Sequence, residues 1–402
     1  MRVLVGPVTL ALALALALAV LLLPAVPVTG AAELVEDEAG SLHVNTTGRV
    51  YFNGVDVVDK AYNLTHKLQA LTDQLCEGWP TRDIHTRAIP FDSPGRYQYS
   101  GGVLASNGKI YGIAASANSI MIIDPVTNTL DTTTISMVSG TWTGGVLGTN
   151  GKIYTIPWKN VPVLEIDPAT NETSLIPVPA GLGSSCNYVR GALAPNGLIY
   201  AAPTCAAGVL VIDPFTGTAD ATSLYVSEDA FKWEGSVAAN NGKVYGIPFS
   251  ANSVLTIDPE TNATDTTTMA GLPGVSKWYD GVLGPNGKIY GMPWGSRRVL
   301  VIDPDTNTTD ITAFAPVPSG WRWIGGVVGP DNRIYGTPAT APSLLAIDPA
   351  TNAIDYTTFT GITPQEGWRG GVYVPALHRI YGIPYHATSV YVVDLTLIGI
   401  CT

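Results

Sequence analysis

GVLASNGKIYG at residues 102–112, followed by SIMIIDPVTN at residues 119–128, is the stretch that decides the fold. An apolar run leads into Asn-Gly, a strong hairpin signal because both central residues must take positive φ. KIYG starts a second strand. The apolar run ending in Asp124 is a third, and Pro125 to Asn128 is a turn in which proline presets φ and Asp and Asn side chains bond the local backbone.

The stretch repeats along the chain. It returns at Gly145–Tyr154 with Val163–Asn171, at Gly191–Tyr200 with Val209–Gly217, and again from Val237, Val282, Val327 and Val372. The turns at Asn107, Asn150, Asn196, Asn241 and Asn286 lie 43, 46, 45 and 45 residues apart. A Thr-rich fourth strand, such as Asp265–Met269, completes each copy. Seven copies of four antiparallel strands predict an all-β, seven-bladed propeller. The last copy ends soon after Asp394, whereas Thr81–Pro90 resembles the fourth strand Thr309–Pro316. The N-terminal segment is therefore expected to supply the outer strand of the last blade, closing the ring and removing an open edge.

The segment VLVIDPDTNT (residues 299–308) resembles the repeat of YVTN-type propellers of surface-layer-like proteins, over about Gly101 to Asp394. The resemblance implies an extracellular structural or interaction module. The spelling PNGKIYGMP (residues 285–293) departs from that family. The fold also looks like that of virginiamycin B lyase-type enzymes, from which no residue set carries over.

Residues 1–31 read as a signal peptide: Arg2 precedes an apolar run, Pro24 and Pro27 interrupt its end, and small residues follow at Thr29–Ala32. An uncleaved anchor is the alternative, and the only route to a membrane. Secretion fits five sequons, at Asn45, Asn63, Asn171, Asn262 and Asn307, and four cysteines. The preferred disulfides are Cys186–Cys205, tying loops of blade 3, and Cys76–Cys401, locking the closure, among three connectivities. Residues 32–80 form an N-terminal arm. Gly40–Asn53 alternates like a strand or hairpin, and Val57, Ala61, Leu64, Leu68, Leu71 and Leu75 follow a heptad seam. That predicts a short helix, either a homo-oligomerisation stalk or a helix packed on the propeller that fills residues 81–402.

Net charge is −11 with no basic run, which argues against nucleic acid. Each copy places an aromatic at the channel mouth: Tyr99, Trp142, Tyr188, Trp233, Trp278, Trp323 and Trp368. A ring present in every copy suits packing between blades; the functional reading is a collar that grips a sugar or protein. On the same face, here called the top, the loop between second and third strands carries Trp158, Phe249, Trp294 and Tyr385, with Thr204 and Ala339 in two copies. Arg190 and Asp280 replace a glycine beside the collar, and Glu234 and Arg369 follow it. This mixture predicts a binding face for a protein or glycan. The sequons at Asn171, Asn262 and Asn307 fall in the same turn on the bottom face, so glycans there would leave the top free.

No catalytic or phosphate-binding motif occurs, and no cofactor or metal is expected. The Asp-Pro residues Asp124, Asp167, Asp213, Asp258, Asp303 and Asp348 read as turn formers rather than calcium ligands. The alternative is a hydrolase or lyase with Glu234 and Asp280 as a carboxylate pair, assisted by Arg190 or His386.

Overall fold

The computed structural model describes residues 86–91, 97–136, 139–179, 186–360, 362 and 367–395, together with the backbone of four short strands before them. The chain divides into two units, residues 1–79 and residues 80–400. In the first, Ala32–Glu36 pairs antiparallel with Leu42–Thr46, and Tyr51–Phe52 with Val55–Asp56. The signal segment, the heptad seam from Val57 to Leu75, Asn63 and the Cys76–Cys401 pair lie outside the described residues.

The second unit is a seven-bladed propeller of four-stranded antiparallel blades. Blade 5 is representative: Trp278–Leu283, Ile289–Pro293, Leu300–Asp303 and Thr308–Asp310 pair in sequence order from the axis outward. Its second strand is buried throughout because blades flank both faces. In blade 7 the strands Trp368–Val374, Arg379–Pro384 and Ser389–Asp394 are completed by Thr86–Pro90, with Val390 opposite Ile89 and Tyr391 opposite Ala88. The N-terminal strand thus closes the ring, and the first strand of blade 7 packs on that of blade 1.

Side chains also tie blades together. The second-strand tyrosines, Tyr111 to Tyr381, are buried, and the hydroxyls of Tyr111, Tyr154 and Tyr381 reach the following blade's turn. Tyr111 donates to the Pro168 carbonyl and Asn171, Tyr154 to Pro214, and Tyr381 of blade 7 to Pro125 and Asn128 of blade 1. The hairpin asparagines assist, as Asn107 donates to both Tyr111 and Pro168. These contacts bring the Asn-Gly hairpins and the Asp-Pro turns to one face, the bottom. The turn aspartates act as the sequence reading expects: the Asp303 carboxylate accepts the Asp305 and Thr306 N–H groups at 3.0 and 3.2 Å. Bottom-face cations pair with carboxylates, as in Lys152–Glu165 (2.7 Å), Lys288–Asp303 (3.1 Å) and Arg379–Asp394 (3.0 Å).

Blade 3 is the irregular one. Its first strand is reduced to Ala192–Leu193, and the Cys186–Cys205 disulfide ties the preceding loop to the loop after its second strand. Such a bridge contributes about 2–4 kcal/mol.

Deleting Thr86–Pro90 bares the Ser389–Asp394 edge. We expect the thermal midpoint to fall by roughly 10 °C, with association visible by size-exclusion chromatography.

Candidate functional site

The top of the channel is built by a bulge. Six blades show a register shift after the collar aromatic, as between Trp278 and Gly281. The second residue after the aromatic takes positive φ in all seven copies. Five of these are glycines. The other two are Arg190 (φ 52°) and Asp280 (φ 63°), conformations that non-glycine residues rarely adopt and that mark a site needing explanation.

The explanation is that they meet across the channel. Arg190 Nε lies 3.0 Å from Asp280 Oδ2, and Asp280 Oδ1 accepts the Gly281 N–H at 2.9 Å. The guanidinium occupies the space left by the missing side chains: a Cβ on Gly370 would collide with Arg190 Nη2, and one on Gly325 would lie 2.7 Å from Asp280 Oδ2. Arg190 Nη2 is buried without a protein partner. Burial pushes the Asp280 carboxyl up, against the opposing pull of Arg190. The pair lines a cavity of about 180 Å³ whose other walls are glycine backbone and Ser236.

The collar lies differently from a stacking surface. Tyr99, Trp142, Tyr188, Trp233, Trp278, Trp323 and Trp368 are only 0–3% exposed. Their polar atoms pin the first strand to the entry of the third: Trp142 donates to the Pro162 carbonyl, Trp278 to Arg298, Trp323 to Ser343, Trp368 to Ser389 and Tyr188 to Gly208, while Tyr99 pairs with Ser119. These rings, expected either to pack or to grip a ligand, are enclosed within the blades.

The residue after each collar aromatic is buried in six copies and half-buried at Arg369. Val189, Tyr279 and Ile324 form an apolar cluster with the half-buried Trp158, Phe249, Trp294 and Ala339. Thr204 is buried and donates to the Trp233 carbonyl. Arg369 donates to the Tyr279 hydroxyl at 3.2 Å and stacks 3.8 Å from the Tyr385 ring centroid. Beneath them Glu234 is 3% exposed with Oε2 unpartnered, and burial pushes its carboxyl up to about 8 despite Arg369 nearby. Two levels of the channel therefore each hold one acid and one base.

Several groups escaped the sequence reading. Tyr97 (φ 63°, 50% exposed) packs edge-on against Tyr385 and His386 on the top, and Phe231 (φ 55°) is likewise exposed. Arg322 lies 4.8 Å from the Trp294 ring centroid. Aligning the copies at the residue after the collar aromatic would have exposed the cluster of Val189, Tyr279 and Ile324. Of the histidines in the repeats, His386 is on the top, whereas His378 bonds Tyr373 beside the bottom-face hairpin. Among the described residues no group of His, Cys, Asp and Glu has the arrangement of a metal site.

A family described as a repeat of unknown function (DUF6923) matches residues 236–396. Comparison with curated proteins finds no match. Among solved structures, a streptogramin B lyase is 14% identical with a TM-score of 0.61, covering 77% of this chain and 97% of that one. A catalytically inactive histidine-to-alanine variant of virginiamycin B lyase from Staphylococcus aureus, with quinupristin, is 12% identical with a TM-score of 0.64, covering 77% and 99%. The extracellular domain of a hybrid two-component system from B. thetaiotaomicron is 13% identical with a TM-score of 0.59; this chain covers 42% of it. At such identities the likeness is one of fold.

Two predictions follow from the channel. Arg190→Gly alone strands the Asp280 carboxylate and should cost about 3 kcal/mol in urea unfolding. Arg190→Gly with Asp280→Gly restores the glycine of the other five copies, so the double variant should lose less than the sum of the singles, by about 1–3 kcal/mol. For Glu234, the folded protein keeps a proton up to about pH 8 that the unfolded chain loses near the ordinary glutamate value. Between those values stability falls as pH rises, by up to about 1.4 kcal/mol per unit, and levels off above them. Glu234→Gln should flatten that slope in denaturant melts from pH 5 to 8.

Proposed function

We propose that the protein is an extracellular binding module that engages a glycan or protein partner through the top of its propeller. The observation that carries this is the form of the top centre. The channel is filled by the Arg190–Asp280 pair, and above it the half-buried rings of Trp158, Phe249, Trp294 and Tyr385 make a floor, not a deep pocket. The cavity of about 180 Å³ below is smaller than the ~300–1,000 Å³ of ordinary small-molecule sites. Half-exposed rings with cations stacked on them are the anchors that dominate recognition surfaces. The disulfide and the extracellular neighbours support an outside location. The resemblance to surface-layer YVTN-type propellers agrees with it, and the heptad seam of the arm remains the proposed self-association element.

The sequons fit the same orientation. Asn262 and Asn307 are exposed on the bottom-face turns, and Asn171 is half-buried there, its side-chain oxygen accepting from Tyr111. Glycans at these positions leave the top clear.

The competing reading is a lyase or hydrolase using Glu234 and Asp280. Glu234 has the raised acidity range of a catalytic acid, and the lyase fold is shared. Against it, Asp280 is committed to Arg190, and Glu234 lies 3% exposed beneath the floor.

The test is a glycan array probed with the secreted protein and with a Trp158→Ala/Trp294→Ala variant. Binding that the variant loses by tenfold or more, with its circular-dichroism spectrum and elution volume unchanged, is the expected result. Turnover of a glycan or cyclic ester that Glu234→Gln abolishes would replace the binding reading with the enzymatic one.

A further inference from the structure

Charge is sorted between the two faces. The chain carries −11 overall, yet among the described residues the carboxylates sit mainly in the bottom-face turns and along the outer strands, where the turn chemistry requires them. On the top the balance is reversed. Lys159, Arg297 and Arg322 are exposed there, with Arg298 and Arg369 half-buried. Lys232 and Lys277 add charge from just beneath, their ammonium groups held by loop carbonyls. Among the described residues, the exposed top-face carboxylates are Glu228 and Asp229. Of the buried ones, Asp280 is paired with Arg190, and Glu234 is held protonated at neutral pH.

The cations are interleaved with rings. Lys159 follows Trp158 in the loop of blade 2, Arg322 covers Trp294, and Arg369 covers Tyr385. A half-buried ring beside a cation matches a pyranose that presents a flat C–H face and an anionic substituent. An acidic peptide carries its carboxylates on flexible side chains and presents no such flat C–H face to a ring.

We propose that the top face binds an acidic polysaccharide, with sugar rings on Trp158 and Trp294 and carboxylate or sulfate groups on Lys159, Arg297 and Arg322. This rests on the binding reading above and names its ligand chemistry. Opposite signs on the two faces would also orient an incoming polyanion towards the top.

The experiment measures affinity of the full chain for polygalacturonate, dextran sulfate, neutral dextran and poly-glutamate. Expected is binding to one or both acidic polysaccharides and not to dextran, weakening about tenfold or more between roughly 50 and 500 mM NaCl. Lys159→Glu/Arg322→Glu should weaken it about tenfold without moving the melting temperature, Lys159→Arg/Arg322→Lys should retain it, and Trp158→Ala/Trp294→Ala should lose it. Equal affinity for dextran and dextran sulfate, untouched by charge reversal, would overturn the charge assignment and leave the binding reading standing. Poly-glutamate held as tightly as the acidic polysaccharides would overturn the glycan. Failure to bind any of them, with no ligand on the array either, would overturn the acidic-polysaccharide proposal and leave a protein partner as what remains of the binding reading.

Discussion

Seven strands must converge on one axis, and where they bend into the channel the backbone takes positive φ in every copy. That constraint governs the centre of the molecule. A Cβ there meets the neighbouring strand or the group filling the axis: at Gly235 it would lie 2.6 Å from the Asp280 Cα. Glycine meets the constraint in five copies. In the other two, residues with long or charged side chains accept the strained conformation, which costs of the order of 1 kcal/mol each, and pair with one another in the vacated space. The consequence runs upward. With the channel filled, the preceding residues of three copies, Val189, Tyr279 and Ile324, can close into an apolar layer, and the loop rings can rest on it as a floor.

The repeat made the architecture readable because its signals are local. Asn-Gly fixes a hairpin and Asp-Pro a turn through bonds spanning two or three residues, and the structure contains both. Closure by Thr86–Pro90 was readable for another reason: the last copy lacked a strand that the N-terminal segment could supply. The site was less legible. The collar aromatics looked like surface anchors or wedges, and nothing local reveals that an indole N–H will find a carbonyl 20 residues on inside its own blade. Arg190 and Asp280 stood out as departures from glycine, but their pairing joins blades 3 and 5 across the axis, 90 positions apart, and only ring geometry brings them together.

The same split between demanded and free positions bears on the charge. The turn aspartates cannot be exchanged freely, because five of the six carboxylates each cap two backbone N–H groups of their turn and Asp167 caps one. Bottom-face acidity is thus a by-product of how the blades are made. The basic residues of that face are drawn into pairs with those carboxylates, as Lys243 is with Asp258 at 3.4 Å. The cations at the top answer to no such demand: the positions of Lys232, Lys277 and Arg322 are filled by Gln98, Thr141, Asn187 and Gly367 in the other blades.

It follows that the whole-chain charge is a poor guide to this protein's partners. A value of −11 argues against a polyanion only if the charge is spread evenly, and among the described residues the carboxylates concentrate in the bottom-face turns and outer strands, away from the top. At physiological ionic strength the screening length is about 8 Å, shorter than the separation of the two ends of a blade of five- or six-residue strands. A ligand at the top therefore responds to Lys159, Arg297 and Arg322 and little to the aspartates on the far side. Glu234 sharpens the contrast, since an ionised carboxylate at that depth would cancel the nearby Arg369, while the protonated acid leaves the guanidinium charge unopposed over Tyr385.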